Sequence, residues 1–267
     1  NGVRVVSREP WTLPAYEPSF LSGRDVFAAA DRGRPLLMEP SSSIAGFELN
    51  FGGAGQVGGA LSLPIPVLGG AAGETLFRGA APAGRREGFR LFQQGDFLIG
   101  VAVEPAEDDL AAQTRRLYAS LLAVSQGCHL VRVWNYVPKI NAVSSEGMEN
   151  YRLFCAGRSQ AFEAALGESY AHHMPAASAV GGEAGRLAVI FAAAATAPRH
   201  FENPEQVPAY EYPPEHGPRS PSFSRATRAV AGGRPWIFIS GTAAIKGHAT
   251  VAPGDLAGQI DCTLDNL

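Results

Sequence analysis

From Phe89 onward, the pattern of hydrophobic and polar positions predicts alternating strands and helices. Phe97–Val103 is a continuous apolar run of strand length, typical of a strand covered by other elements. Glu107–Ser125 has acidic residues in its first turn and apolar residues at helical spacing, which indicates an amphipathic helix. The same criteria predict a second helix at Gly147–Leu166 and further strands at Phe47–Phe51, Ala60–Pro64, Leu130–Val137, Leu187–Ala194 and Trp236–Ser240.

A strand followed by a helix that opens with Asp-Leu-Ala-x-Gln occurs twice, at Asp109–Gln113 and at Asp255–Gln259. An acidic residue suits a helix start because it faces unpaired backbone N–H groups. We therefore predict a duplicated α/β unit with a boundary near 126–129, which divides the chain into residues 1–127 and 128–267. A chance likeness of two helix starts is the alternative. Repeats of this size commonly pack side by side, and the seam between them favours a pocket.

Composition excludes several classes of protein. The 267 residues are 46% hydrophobic and 18% charged, which suits a packed core and not a disordered chain. The net charge of −3 provides no general attraction to nucleic acid or anionic membranes. Three cysteines without a CxxC pair predict buried thiols in a reducing cytoplasm. No apolar run reaches the ~18 residues that a membrane-spanning helix needs, and no signal peptide is visible.

Common metal, phosphate and nucleophile motifs are missing from the sequence. The six histidines form no HExxH, HxH or Cys/His quartet, and the adjacent His172 and His173 diverge on a helix or a strand. The glycine clusters at 52–59 do not follow a strand and open a helix, so they are weak evidence for phosphate binding. A GxSxG nucleophile motif does not occur either. We therefore expect neither a metal nor a cofactor.

The second predicted helix carries Tyr151, Cys155 and Arg158 at spacings of four and three, which places them on one face. An arginine on an apolar stripe is costly to bury unless an anion meets it. Its planar guanidinium can donate two parallel hydrogen bonds to a carboxylate. These residues favour an anion-binding role, with an internal salt bridge as the alternative.

A second aromatic and basic cluster lies in the proline-rich segment 210–226, which contains Tyr210, Tyr212, Arg219 and Arg225. Prolines at 213, 214, 218 and 221 restrict the backbone and present these side chains with little conformational freedom. Proline-rich loops also serve as simple connectors, which is the alternative here. Together with the helix face, the segment would suit a small ligand with two carboxylates.

Gly241 follows the predicted strand Trp236–Ser240 in the sequence Ser-Gly-Thr-Ala-Ala. Because glycine has no side chain, a ligand or another backbone can approach it closely. A bulge or a tight turn is an equally good interpretation. His248, a little further on, is interpreted as a surface residue.

A set of motifs in fixed order covers the second half of the chain: Trp134-Asn135-Tyr136, Ile140-Asn141, Tyr151-Arg152-x-Phe154-Cys155-x-Gly157-Arg158, Met174-Pro175-Ala176-Ala177, Glu202-Asn203-Pro204, Tyr212-Pro213, Gly217-Pro218-Arg219, Phe223-x-Arg225-Ala226, Phe238-Ile239-Ser240-Gly241-Thr242-Ala243 and Gly247-His248. In this order they resemble the chorismatases, the chorismate-cleaving enzymes of bacterial secondary metabolism. The resemblance is dense over Leu130–Leu267 and loose before it. It implies an α/β (α+β) fold of two fused YjgF/RidA-like units, each a mixed sheet covered by helices.

The resemblance also implies an activity. Chorismatases cleave the enolpyruvyl ether of chorismate, a diacid, and release pyruvate without a cofactor or metal. The substrate-holding positions of the family match Tyr151, Arg158, Tyr212 and Arg225, and Arg219 is a weaker match. The chemical task is to protonate the enol-ether methylene, which gives an oxocarbenium ion that water or a ring hydroxyl traps. A carboxylic acid of raised pKa suits that step.

The resemblance leaves the catalytic acid unidentified. In chorismatases the proton-transferring glutamate lies in the final strand, and this sequence ends at Leu267 before a matching segment. Glu202 matches a different position of the family. The last predicted helix opens at Asp255 and no strand follows it, so we expect the native protein to continue beyond Leu267.

Gly241 bears on the product that the resemblance predicts. The hydrolysing branch, which forms a dihydroxycyclohexadiene carboxylate, tends to carry Ala here, whereas the branches that form 3-hydroxybenzoate, some with 4-hydroxybenzoate, carry Gly. We therefore expect pyruvate and 3-hydroxybenzoate. The alternatives are a chorismate hydrolase, an imine deaminase on the same fold and a non-catalytic protein that binds small acids. Two fused units reduce the need for a trimer, so a monomer is expected.

Overall fold

The computed structural model describes residues 46–51, 60–63, 73–182 and 185–267, whose largest element is a six-stranded mixed sheet with the order β4-β5-β6-β9-β7-β8. Neighbouring strands are antiparallel except for the parallel pair β7 and β8. This mixed architecture confirms the predicted α/β class. Its elements are β4 (Ala81–Arg86), β5 (Phe89–Gln94), β6 (Phe97–Pro105), α1 (Leu110–Val124), β7 (His129–Pro138), α2 (Asn150–Leu166), β8 (Ala176–Gly182) and β9 (Arg186–Ala194).

Smaller elements lie before and after this sheet in the chain. The first set is a three-stranded sheet, in which β1 pairs parallel with β2 and antiparallel with β3. The second set is an antiparallel sheet of β10, β11 and β12, a short hairpin of β13 and β14, and a final helix. Their bounds are β1 (Gly46–Phe51), β2 (Ala60–Leu63), β3 (Gly73–Arg78), β10 (Arg199–Phe201), β11 (Ala226–Ala231), β12 (Arg234–Ile239), β13 (Ile245–Lys246), β14 (Ala249–Thr250) and α3 (Leu256–Asp265). The strands predicted near residues 47 and 60 are thus confirmed, whereas the glycine clusters at 52–59 lie outside the described residues.

The six-stranded sheet is buried on both faces at its centre. One apolar core lies under α1 and α2 and includes Leu121, Phe154 and Phe191. The other lies on the opposite face and includes Ile99 and Ile190. Residues 187–194 of β9 are all buried, because β9 lies between β6 and β7 and both of its faces are covered. This explains why the strand is a continuous apolar run and does not alternate with polar residues.

The predicted boundary at 127–128 lies within the six-stranded sheet. β4, β5 and β6 precede this position and β7, β8 and β9 follow it, yet all six strands are hydrogen-bonded into one sheet. In the described structure, the chain therefore does not pass from one sheet to another at residues 127–128. The division of the chain into two units stays a prediction.

Both helices with the Asp-Leu-Ala-x-Gln opening are capped in the same way. The Asp109 carboxylate accepts a hydrogen bond from the N–H of Ala112 at 2.9 Å, and Asp255 accepts one from Gly258 at 3.2 Å. Leu110, Leu117, Leu121 and Val124 of α1 are buried. By contrast, Leu256, Ile260 and Leu264 of α3 are exposed. None of the helices in the described residues is long and apolar enough to cross a membrane.

At Gly157, α2 lies in close contact with the backbone of α1. A Cβ atom at this position would lie 2.2 Å from the carbonyl oxygen of Ala111 and 2.9 Å from the backbone N of Arg115. Backbone atoms cannot move aside as a flexible side chain can, so only glycine fits here without a shift of the helices. This contact fixes how α2, and the residues it carries, sit against α1.

We predict that Gly157→Ala lowers the free energy of unfolding by about 1–2 kcal/mol, measured by urea denaturation. Helix propensity alone would favour alanine by about 1 kcal/mol, but the added methyl group overlaps the α1 backbone, and overpacking costs about 1–3 kcal/mol. Gly185→Ala is the matched control, because a Cβ atom there meets nothing within 4 Å. A stabilised Gly157→Ala protein would show that the helices are not in this contact.

Candidate functional site

Arg158 lies on the inner face of α2 and is 2% exposed. Its guanidinium carbon lies 5.2 Å from the ring centroid of Phe154 and 6.0 Å from that of Phe223. The hydroxyl of Tyr118 accepts a hydrogen bond from Arg158 and donates one to the side-chain oxygen of Asn135 at 2.6 Å. The aromatic rings and this hydroxyl hold the guanidinium group in place without neutralising its charge.

The internal salt bridge weighed as an alternative for Arg158 is not found. Among the described residues no carboxylate forms an ion pair with this guanidinium, and its Nε is buried without a hydrogen-bond partner. Burying an unpaired charge is costly, whereas pairing it with an anion recovers much of that cost. The surroundings of Arg158 therefore favour a bound anion over a purely structural role.

Arg225 brings the proline-rich segment to the same place. Its Nη2 donates to the carbonyl of Val207 and to the hydroxyl of Tyr212, both at 3.1 Å, while its Nε is buried without a partner in the described residues. Its guanidinium carbon lies 5.2 Å from the ring centroid of Phe223. Both predicted arginines are thus within 6.0 Å of one aromatic ring, which places the helix cluster and the loop cluster in a single site.

Tyr151 lies in the first turn of α2 and points to the same region. Burial raises the pKa of its hydroxyl above the usual range, and the nearby Cys155 adds to that rise while Arg158 opposes it. Tyr212 also raises the pKa of Tyr151, by less than burial does. The two tyrosines predicted from the sequence are thus close enough to interact electrostatically. Tyr151 therefore keeps its proton and can donate a hydrogen bond to an anion.

Arg219 is directed away from this group. Its Nη1 donates to the carboxylate of Glu163 at 2.5 Å and lies 3.4 Å from the hydroxyl of Ser159, both on α2. The ion pair is partly exposed to solvent, so it contributes little to stability. It fastens the proline-rich segment to α2, which is consistent with the weaker rank given to Arg219 as a ligand-binding residue.

Gly241 packs its backbone against β8. Its N–H donates to the carbonyl of Ala177 at 3.1 Å, and a Cβ atom would lie 3.3 Å from the Cβ of Ser178. The close approach that glycine permits here is therefore that of a neighbouring strand. The methyl group of an alanine here would crowd Ser178, and a shift of Ser178 would also move the side chain that is hydrogen-bonded to it.

Ser178 holds Arg132, a residue that sequence reasoning did not select. Nη2 of Arg132 donates to the Ser178 hydroxyl at 2.9 Å, its guanidinium carbon lies 5.1 Å from the ring centroid of Trp134, and its Nη1 is buried without a partner in the described part of the chain. Burial lowers the pKa of Arg132 to about 10. A charged residue inside the apolar run Leu130–Val137 was the signal that could have revealed it.

Glu202 is a carboxylic acid next to Arg225. Burial raises the pKa of Glu202 to about 7, although the Arg225 guanidinium and backbone N–H oppose the rise. One of its carboxyl oxygens, Oε2, is buried without a hydrogen-bond partner in the described residues. Glu202 therefore carries a proton over much of the range below neutral pH, which leaves Arg225 without a charged partner.

Comparisons with known proteins are consistent with this arrangement. The sequence model of the family described as "Chorismatase FkbO/Hyg5-like, N-terminal" matches residues 76–193, from within β3 to near the end of β9. A crystal structure of a chorismatase at 1.08 Å resolution superimposes with a TM-score of 0.75 at 32% sequence identity and covers 88% of this chain and 73% of the other.

Two curated relatives from Streptomyces are similar over much of the chain. A protein named 3-hydroxybenzoate synthase from Streptomyces hygroscopicus is 36% identical over 192 residues, which is 69% of this chain and 56% of that protein. A protein named chorismatase from Streptomyces rapamycinicus is 38% identical over 195 residues, which is 71% of this chain and 58% of that protein. The chain thus spans little more than half the length of these relatives.

We predict that Glu202→Gln changes how stability depends on pH. With a pKa of about 7 in the folded protein and about 4.3 in the unfolded chain, Glu202 binds a proton more tightly when folded. Its contribution to stability is complete below the unfolded value and is lost as the pH rises through 7. The free energy of unfolding of the unmodified protein should therefore fall, relative to the Gln variant, between pH 5 and pH 8 in urea titrations.

Glu146→Gln, at an exposed position, is the control for this experiment, because it removes a carboxylate from the surface. If the difference in the free energy of unfolding between Glu202→Gln and the unmodified protein is the same at pH 5 and at pH 8, the raised pKa of Glu202 is refuted.

Proposed function

The chain belongs to the chorismatase family, and from that premise we propose that the protein cleaves the enolpyruvyl ether of chorismate to pyruvate and 3-hydroxybenzoate. The observation that carries the proposal is the pair of arginines around Phe223, neither of which forms an ion pair with a carboxylate in the described residues. Chorismate has two carboxylates, so one ligand supplies a counter-ion to each arginine. The names of the relatives support the same chemistry.

We assign Arg158 and Arg225 to the two carboxylates of the substrate. The buried Nε of each guanidinium has no partner in the part of the chain that the structure describes, so it is a free donor for an incoming oxygen. An arginine can bind a carboxylate with two parallel hydrogen bonds. The hydroxyls of Tyr151 and Tyr212 are the neighbouring donors that orient the anion. Phe223, between the two arginines, excludes water from the space where the ether would lie.

The proposed reaction begins with proton transfer to the methylene carbon of the enolpyruvyl group. This gives an oxocarbenium ion, which a hydroxyl of the ring or a water molecule traps before pyruvate leaves. The two substrate carboxylates offset the charges of the two arginines, so the site is close to electrically neutral when the cation forms. That balance favours the cation more than an excess of guanidinium charge would.

Glu202 supports binding in this scheme, and we do not assign it the proton transfer. As a neutral acid it leaves Arg225 available to a substrate carboxylate, whereas an ionised Glu202 would compete for the same guanidinium. The resemblance implies a glutamate in a final strand as the proton donor, and the described residues contain no strand after α3. The chemistry proposed here needs no cofactor.

We also propose a reducing cytoplasm as the location and a monomer as the working form. All three cysteines are free thiols, with Cys155 and Cys262 buried, which suits a reducing compartment. Size-exclusion chromatography with light scattering tests the oligomeric state.

The test of the activity is to incubate chorismate with protein expressed from its complete reading frame and to identify the products by mass and NMR. We expect pyruvate and 3-hydroxybenzoate. Arg158→Met and Arg225→Met should each lower kcat/KM by about 10- to 100-fold, since a hydrogen bond to a charged group contributes about 1.5–3 kcal/mol. Arg228→Met is the matched control, because Arg228 is exposed on β11 three residues from Arg225.

Unchanged chorismate, with tight binding of aromatic acids, would instead indicate a binding protein. Turnover of amino-acid-derived imines that is insensitive to both arginine variants would indicate a deaminase. Either result contradicts the proposed function.

Gly241→Ala is expected to shift the products toward the dihydroxycyclohexadiene carboxylate. The added methyl group would lie 3.3 Å from the Cβ of Ser178, so Ser178, which accepts a hydrogen bond from Arg132, or the segment of Gly241 must shift by a few tenths of an ångström, and the resemblance links Ala at this position with the hydrolysing branch. The product ratio from NMR is the measurement, and Gly185→Ala is the control for a glycine replacement in open space. An unchanged ratio in a folded Gly241→Ala protein would show that this position does not select the product.

A further inference from the structure

Glu215, His216 and His248 form a compact cluster of metal-ligating atoms beside the candidate site. Nε2 of His216 lies 3.0 Å from Nδ1 of His248. An oxygen of Glu215, Oε1, lies 3.6 Å from the first nitrogen and 3.5 Å from the second. We propose that these three side chains bind a divalent transition-metal ion of the zinc class. This inference is independent of the proposed chorismate chemistry.

The three separations match a tetrahedral site. Zinc binds histidine nitrogens at about 2.0–2.1 Å and carboxylate oxygens at about 2.0–2.2 Å, so tetrahedral ligand atoms lie about 3.3–3.5 Å apart. The observed triangle of 3.0, 3.5 and 3.6 Å differs from this by a few tenths of an ångström along each edge. One ion can thus contact all three side chains after small side-chain rotations.

The backbone holds both histidines in place. His216 ends a short 3-10 turn, Pro214–His216, in which its N–H donates to the carbonyl of Pro213 at 3.1 Å. His248 lies in the turn between β13 and β14, after Gly247 with a φ of +59°. Gly247 is fixed in turn, because its N–H donates to the carbonyl of Glu205 at 2.7 Å and its carbonyl accepts from Val207 at 2.9 Å.

The donor set and its exposure select the class of ion. Two imidazoles and one carboxylate suit zinc and its neighbours in the first transition row better than magnesium or calcium, which prefer oxygen ligands. The side chains of His216, His248 and Glu215 are 35%, 40% and 65% exposed, so solvent can supply a fourth ligand. Because two ligands come from the proline-rich segment and one from a hairpin 32 residues later, no motif of closely spaced residues marks the site in the sequence.

A metal ion bound here would cross-link the proline-rich segment, which carries Glu215 and His216, to the β13–β14 hairpin, which carries His248. The ring of Tyr212 lies 5.2 Å from that of His216 and 6.5 Å from that of His248. The ion would therefore lie close to the residue whose hydroxyl accepts from Arg225, and it would restrict the loop that carries both. We assign the ion this structural role and no step of the reaction.

The test uses protein treated with a chelator, desalted and titrated with zinc chloride by calorimetry. We expect one zinc ion to bind per chain. At a free zinc concentration about 100 times the Kd, the Tm of the protein should rise by about 5 °C. Cobalt(II) bound in its place should give the strong visible absorption of a tetrahedral complex. His216→Ala and His248→Ala should each weaken zinc binding at least ~10-fold, since even the loss of a residue that only orients a ligand has an effect of that size.

His129→Ala is the matched control, because His129 is exposed on β7 and outside the cluster. Glu215→Gln keeps the size of the side chain and should also weaken zinc binding. It replaces an alanine variant in the test if that variant fails to fold. Absence of zinc binding overturns the proposal. So does zinc binding that persists unchanged in a folded His216→Ala, His248→Ala double variant.

Discussion

The candidate site depends on the burial of a guanidinium charge that the described residues do not neutralise. Arg158 is 2% exposed and contacts aromatic rings and the hydroxyl of Tyr118, but no carboxylate. A buried charge without a counter-ion is destabilising, and an anion offsets that cost best where the guanidinium is held in position for it. The contact of Gly157 with the α1 backbone contributes to that positioning, because it fixes α2 one residue before Arg158.

A strand pair followed by a capped helix occurs twice, and this recurrence favours a boundary later in the chain than residue 127. β5, β6 and α1 are matched by β11, β12 and α3. In both cases the glutamine four residues after the capping aspartate donates to a backbone carbonyl that precedes the helix: Gln113 to Pro105, the last residue of β6, at 2.8 Å and Gln259 to Ala252 at 3.1 Å. The family model also stops at residue 193. We propose that any second unit begins after β9, with the six-stranded sheet and its two helices as the first.

Periodicity and apolar runs were sufficient to predict most strands and helices, because these elements are defined by local burial. The helix face with Tyr151 and Arg158 was predictable for the same reason. What the sequence could not show is contact between distant segments. The strand order of the sheet, the approach of Arg132 to Ser178 and the meeting of His216 with His248 each join residues far apart in the chain. The insertion of β9 between β6 and β7 is a contact of the same kind, since nothing in the sequence indicates it, and the boundary predicted at 127–128 was drawn without it.

The charges around the site explain why a diacid suits it better than a single carboxylate. Arg158 and Arg225 share the ring of Phe223, and each keeps a buried Nε that has no hydrogen-bond partner among the described residues. A monoacid would neutralise one guanidinium and leave the other buried and unpaired, so much of the desolvation cost would remain. A diacid of the right span neutralises both. Below a pH of about 7, where the raised pKa keeps Glu202 protonated, Glu202 meets this condition too, because an ionised carboxylate beside Arg225 would occupy the place of the second anion. Under the proposed function, the two carboxylates of the ligand would supply the counter-charges that the described residues lack.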